Sequence, residues 1–221
     1  MRPAQYYGVL HNAAKRRLIR LRTLANDAVI SRRNNLFFSS NQLVSFVTLE
    51  LHTLVANFFR AYYLSIVLGP RTEGGIRITC DPAIRVYEDA IDAAMKACKN
   101  KQWVKAAGGK TWSRYDEPKW HETDTLLRSC LEISSTNYGT VVTALSIPTG
   151  MFEHLTIFRN FFAHRNESTS YRASQIAIAS YSIYSESMPV NILLTPAYGR
   201  PQELIFDWID DANNAFDLLC A

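Results

Sequence analysis

Only four cysteines occur in the 221 residues, Cys80, Cys98, Cys130 and Cys220, with no CxxC pair and no Cys/His cluster among them. That spacing argues against a zinc site and against a disulfide framework. Free thiols fit a reducing compartment, so a cytoplasmic location is expected. No run approaches the ~18 consecutive apolar residues that a membrane-spanning helix needs, and the opening "MRPAQYYGVLHNAAKRR" lacks the apolar stretch of a secretory signal. No membrane association is therefore expected. The absence of an internal repeat excludes a solenoid, and no cluster of acidic residues suggests a metal site, so no metal or other cofactor is expected.

Acid is scarce at the start of the chain. Residues 1–33 carry Arg2, Lys15, Arg16, Arg17, Arg20, Arg22, Arg32 and Arg33 against Asp27 alone, whereas the formal charge of the whole chain is only +4. A cationic block of this kind attracts phosphate backbones by releasing condensed counterions, and it equally describes a solvated helix face. The apolar share of 48% and the aromatic share of 12% are ample for a packed core. A single domain over 1–221 is expected, with irregular, insertion-like regions at about 69–80 and 99–120.

The dominant period is helical, and an all-α bundle follows. Leu10, Leu18, Leu21, Leu24 and Ala28 share a narrow arc, with Lys15, Arg16, Arg20 and Arg22 off it. The stretch "SSNQLVSFVTLELHTLVANFFRAYYLSIVLG" has no internal Pro or Gly before Gly69-Pro70, so it predicts one long central helix. Its apolar face is Val47, Leu51, Leu54, Val55, Phe58 and Tyr62, and its polar stripe is Glu50, Thr53, Asn57 and Arg60. Gly74-Gly75 suggests a loop or small hairpin in 69–80, and Asp81-Pro82 reads as an N-cap followed by Pro at the first helical position. The tryptophan-rich stretch 99–120 reads as an irregular connection whose Trp103, Trp112 and Trp120 pack or stack on bases, with Lys105, Lys110 and Arg114 available to phosphates. Helices are expected over 121–134, from about 150, near 168–183 and over 202–219. The prolines 189, 196 and 201 mark the stretch between the last two as a loop. The acidic final helix is expected to pack on the bundle with its charges toward water or the basic first helix.

Within this scaffold one segment carries chemistry, "TIFRNFFAHRNES", residues 156–168. At about 100° per residue, Met151, Leu155, Phe158 and Phe162 form an apolar ridge, while Glu153, Asn160 and His164 form a second ridge. Arg159 lies on the boundary. A histidine takes and returns a proton near neutral pH, and a guanidinium offers a permanent charge in a fork matched to phosphate. Together they suit RNA cleavage with the ribose 2′-OH as internal nucleophile. Arg159 and His164 stand about 140° apart on the helix, so one helix alone does not aim both at a single point, and a facing surface must complete the site.

Spacing alone proves little. With 17 arginines and five histidines, an Arg followed by His after four to six residues arises by chance about once. It occurs twice here, the second time between Arg114 and His121 across a proline-containing loop. The context "FRNFFAH" distinguishes the first occurrence. It resembles the RNxxxH signature of the HEPN superfamily (higher eukaryotes and prokaryotes nucleotide-binding), with Arg159, Asn160 and His164 on the signature positions. The segment 50–65 also looks like the long partner helix of such bundles.

The resemblance implies a HEPN-type bundle acting as a metal-independent endoribonuclease on a tRNA, an mRNA or another structured RNA, leaving a 2′,3′-cyclic phosphate. It implies a homodimer in which two motif helices face one another, and a role as a toxin or anti-phage effector with an antitoxin or defence partner. It also allows a catalytically idle module that binds a nucleotide or a partner protein. A third class, a helical RNA-binding protein working through Lys15, Arg16, Arg20 and Arg22, is open on charge alone. Around the motif, Glu50, Asn57, Arg60, Glu153 and Arg165 are candidates to line the site, while His11, His52, His121 and His154 read as structural. The plainer roles are an ion pair for Arg159, a helix-end contact for His164 and a surface amide for Asn160.

Overall fold

The computed structural model describes residues 1–99, 116–147 and 149–221. The expectations placed on Trp103, Lys105, Lys110, Trp112, Arg114 and Pro148 lie outside the described residues. Among the described residues the chain is all-helical, with α1 (Tyr7–Arg33), α2 (Phe37–Ser65), α3 (Tyr87–Lys99), α4 (Thr123–Glu132), α5 (Tyr138–Leu145), α6 (Met151–His164), α7 (Glu167–Tyr181), α8 (Pro189–Leu193) and α9 (Leu204–Cys220). Two compact units share these helices, one formed by Met1–Ala14, Val55–Ile147 and Ala215–Ala221 and the other by Lys15–Leu54 and Pro148–Asn214.

The first unit is built on aromatic packing from the C-terminal half of α2. The rings of Phe58 and Phe216 stack at 3.9 Å and those of Tyr7 and Tyr62 at 4.4 Å. All four side chains are fully buried. Burial leaves hydroxyls to be satisfied locally. Tyr63 donates to the carbonyl of Ala90 at 2.7 Å, and Asn137 donates its amide to the Tyr62 hydroxyl at 2.5 Å. Near the end of α2 a partly buried ion pair forms, in which the Arg60 guanidinium grips the buried Glu117 carboxylate through Nε at 2.6 Å and Nη2 at 2.7 Å. The Trp120 indole donates to the same carboxylate at 2.8 Å. Between α2 and α3 the chain makes isolated bridges, Tyr6 with Arg71 and Arg71 with Arg77, rather than a paired hairpin.

Helix α3 starts at Tyr87, later than the Pro82 start that Asp81-Pro82 suggests. The reason is local. Asp81 spends its carboxylate on a tight turn, accepting from the Ala83 N–H at 2.8 Å, and Asp89 reaches back to the N–H groups of Arg85 and Val86 at 3.1 and 3.3 Å. That backward contact caps the helix at its actual start. Two further elements depart from the sequence reading. Helix α5 occupies a stretch that gave no clear period, and α8 is a single turn opened by Pro189 inside the expected loop.

In the second unit α1 and α2 bury the sides that the period assigns, Leu18, Leu21, Ala25 and Ala28 on one and Val44, Val47, Leu51 and Leu54 on the other. Leu24, expected with them, is only half-buried. The turn joining these helices uses Asn35 in the left-handed region, φ 60°, which lets the Leu36 N–H close on the Ser31 carbonyl at 2.8 Å. Helix α2 starts at Phe37, before the serines, and its extension Phe37–Leu68 has the length and apolar composition of a membrane span, with half of its most apolar window buried inside the protein. The acidic α9 meets the basic α1 here. Arg22 pairs with Asp210, and Arg33 reaches Glu203 just ahead of α9 at 3.4 Å.

Two substitutions probe the first unit. Phe216→Ala should cost about 3–5 kcal/mol in urea unfolding, because it deletes a buried ring and leaves a cavity against Phe58. Glu117→Ala should cost about 1–3 kcal/mol by removing the partner of both Arg60 and the Trp120 indole, and the apolar pair Arg60→Met with Glu117→Leu should recover part of it.

Candidate functional site

Helix α6 owes its orientation to its apolar ridge. Met151, Leu155, Phe158 and Phe162 are buried, and Phe158 meets the Trp208 ring edge to face at 5.2 Å. Fixing that side fixes the other. Glu153 and His164 are exposed, and Thr156, Ile157 and Asn160 are half-buried along the same open side.

The ends of the helix are held as well. At its start, Thr149 Oγ1 accepts the Met151 N–H at 3.1 Å and donates to the Asp211 carboxylate. At its end, Arg165 turns into the left-handed region, φ 47°, and Asn166 caps α7 by accepting the Thr169 N–H at 2.9 Å. His164 is thus the last helical residue, standing at a sharp and capped corner.

On this frame Arg159 folds along the helix and donates from Nη1 to Asn160 Oδ1 at 3.2 Å. Among the described residues no carboxylate forms an ion pair with it, so neither Glu153 nor a residue of another helix takes its charge. The contact explains the pairing of the two residue types. An adjacent amide oxygen orients the guanidinium yet leaves its full charge available, where a carboxylate would neutralise it. His164 is exposed beyond them, on the ridge of Asn160.

The remaining candidates divide. Arg165 donates to the Ser45 hydroxyl at 3.4 Å and so anchors the α6 corner to α2. Glu50 is held by Arg17 at 2.9 Å. Arg60 is engaged by Glu117, and both it and Asn57 belong to the first compact unit whereas α6 belongs to the second. Among the described residues no group of three His, Cys, Asp or Glu side chains stands close enough to hold a metal ion.

One arrangement had no counterpart in the sequence reading. His154, treated there as structural and without a partner pattern, has its Nδ1 2.9 Å from the Tyr181 hydroxyl, which also accepts the Trp208 indole N–H at 3.0 Å. The hydroxyl thus links the imidazole and the indole in one polar chain. Burial pushes the His154 pKa below its ordinary value, opposed weakly by Glu153, and burial raises that of Tyr181. His11 is likewise engaged, between Glu73 at 2.7 Å and Asp217. These partners are distant in sequence, 27 residues for His154 and 62 for Glu73, so no spacing rule finds them.

The shift on His154 fixes the sign of a pH effect. The unfolded chain binds a proton on this imidazole at a higher pH than the folded one. Its contribution is complete above the ordinary value of 6.5 and declines as pH falls toward the depressed folded value. Unfolding midpoints in urea should therefore drop between about pH 7.5 and about pH 5.5, and His154→Gln should flatten that part of the profile.

No protein-family model matches the chain, and neither does any curated protein or solved structure.

Proposed function

We propose that this protein is a metal-independent endoribonuclease of the HEPN type that acts as a homodimer, in the manner of a toxin or anti-phage effector. One observation carries the reading. Arg159 is oriented by an amide instead of a carboxylate, and an exposed imidazole stands on the same open side of the helix. A purely structural arginine is normally matched by an acid, and this one keeps its charge for a ligand that brings its own negative charge.

In the proposed reaction an imidazole of His164 removes the proton of the ribose 2′-OH. The 2′ oxygen attacks the adjacent phosphorus, the bond from phosphorus to the 5′ oxygen breaks, and an imidazolium returns a proton to that leaving oxygen. The products are a 2′,3′-cyclic phosphate and a 5′-hydroxyl. Arg159 balances the charge that gathers on the phosphorane oxygens, and Asn160 holds the guanidinium in place. Proton transfer of this kind is worth about 10²–10⁴ in rate, and removing one charge-stabilising donor costs about 10²–10³. Two copies of α6 facing each other supply what one helix cannot, an Arg and a His converging from opposite sides of one phosphate. A tRNA or an mRNA is the substrate class, and an antitoxin or another defence protein is the expected partner.

The same arrangement favours a second reading, since within one chain His164 has no contact with Arg159. In that reading the chain binds a nucleotide or a partner protein and is catalytically idle.

The test is incubation of the wild type, Arg159→Ala and His164→Ala with total tRNA and a structured mRNA in excess EDTA. Cleavage by the wild type leaving 2′,3′-cyclic phosphate, with at least about a 10²-fold loss in each variant at unchanged melting temperature, is the expected result. Equal cleavage by His164→Ala would refute the assignment, and no cleavage by a dimeric wild type would favour the idle module.

A further inference from the structure

Away from α6, the second unit has an open groove of about 550 Å³ lined on one side by Ile19, Thr23 and Asn26 of α1 and on the other by Gln202 and Phe206, with the Glu203 carboxylate at its edge paired to Arg33. Arg22 crosses its floor. The Arg22 guanidinium lies 5.3 Å from the centre of the Phe206 ring, and its fork is held by Asp210 and, at 3.2 Å, by the Gln202 carbonyl oxygen. The side chain nonetheless stays 45% exposed. A guanidinium held beside an aromatic ring by two hydrogen bonds and still half open to solvent is a group on which a nucleobase can stack.

The surroundings name the rest of the ligand. Lys15, Arg16 and Arg20 are exposed on α1, and among the described residues none of them pairs with a carboxylate, unlike Arg17, Arg22 and Arg33. Arg16 and Arg20 are one turn apart, about 6 Å along the axis, close to the spacing of successive phosphates on an extended strand. Thr23 and Asn26 add polar groups to the same wall as the apolar Ile19. A polyanion without bases would use the cations and leave the groove empty, and a small apolar ligand would use the groove and leave the cations idle. A single RNA strand uses both.

We propose that this groove is a second contact for the RNA substrate, with one unpaired base stacked on Arg22 and the neighbouring phosphates on Lys15, Arg16 and Arg20. It rests on the reading of RNA as substrate and assigns Arg22 the part of a stacking plane instead of a phosphate ligand. Catalysis is left to α6.

The experiment measures binding by fluorescence anisotropy with a labelled 2′-O-methyl dodecanucleotide, which cannot be cleaved, and with an abasic strand of equal length. The wild type and His164→Ala should both bind the base-bearing strand more tightly. Arg22→Lys should remove that preference by about tenfold while keeping affinity for the abasic strand, because a stacked base contributes about 1–3 kcal/mol. Lys15→Ala with Arg16→Ala and Arg20→Ala should weaken both strands and flatten the salt dependence by about two units of slope, at about 0.7 per phosphate contact on a single strand. Ile19→Glu, at a site 60% exposed, cannot act through unfolding and should weaken both strands as well. Wild-type affinity in the triple variant and in Ile19→Glu would overturn the proposal, as would no preference of the wild type for bases, or binding of polyglutamate in place of either strand. If groove variants bind and cleave as the wild type does, the groove fails while the nuclease stands. If the wild type binds RNA through the groove but never cleaves it, the nuclease fails and the groove stands.

Discussion

The edge-to-face contact of Phe158 with Trp208 is the constraint on which the second compact unit turns. It sets the rotation of α6 about its own axis, and 3.6 residues per turn then dictate where Arg159, Asn160 and His164 emerge. The indole does more than pack. Its N–H is bonded to Tyr181 and through that hydroxyl to His154, so α6, α7 and α9 are joined by both an aromatic contact and a polar chain. Such buried networks rigidify when every member is satisfied. Arg159 and Asn160 therefore sit on a helix that has little freedom to roll.

Charge is handled differently in different places. Arg60 is partly buried and meets a buried carboxylate with two hydrogen bonds. Arg22 is held beside an aromatic ring by two hydrogen bonds and left half open to solvent. Arg159 receives only an amide. A guanidinium in each of these three settings has the same formal charge, but among the described residues only Arg159 of the three meets no carboxylate.

How much of this was legible beforehand depended on distance along the chain. The buried sides of α2 and α6 followed from period alone, because a helix repeats its environment every three or four residues. The buried Val47, Leu51, Leu54, Val55, Phe58 and Tyr62 match the expected face. The polar stripe of α2 was legible as a stripe but not in its use, since Arg60 and Glu117 are 57 residues apart and no local rule joins them. Asp81-Pro82 misled because one carboxylate can cap a turn as well as a helix, and α8 was hidden by the prolines that usually mark loops. The division into two compact units was also invisible, since α1, α2 and α9 run through it without a break in pattern. In the candidate site, the sequence supplied the residues and their phases, while the amide contact of Arg159 needed coordinates.

The corner between α6 and α7 has a further consequence. Only Arg165 and Asn166 separate the two helices. The relative phase of Arg159, Asn160 and His164 is written entirely within α6, whereas the direction in which α7 departs is written in those two linker residues. The spacing of the α6 side chains and the direction of α7 are thus set by different residues. A change at those two positions would re-aim α7 and leave the residue spacing on α6 as it is, but it would also draw Tyr181 away from His154 and Trp208.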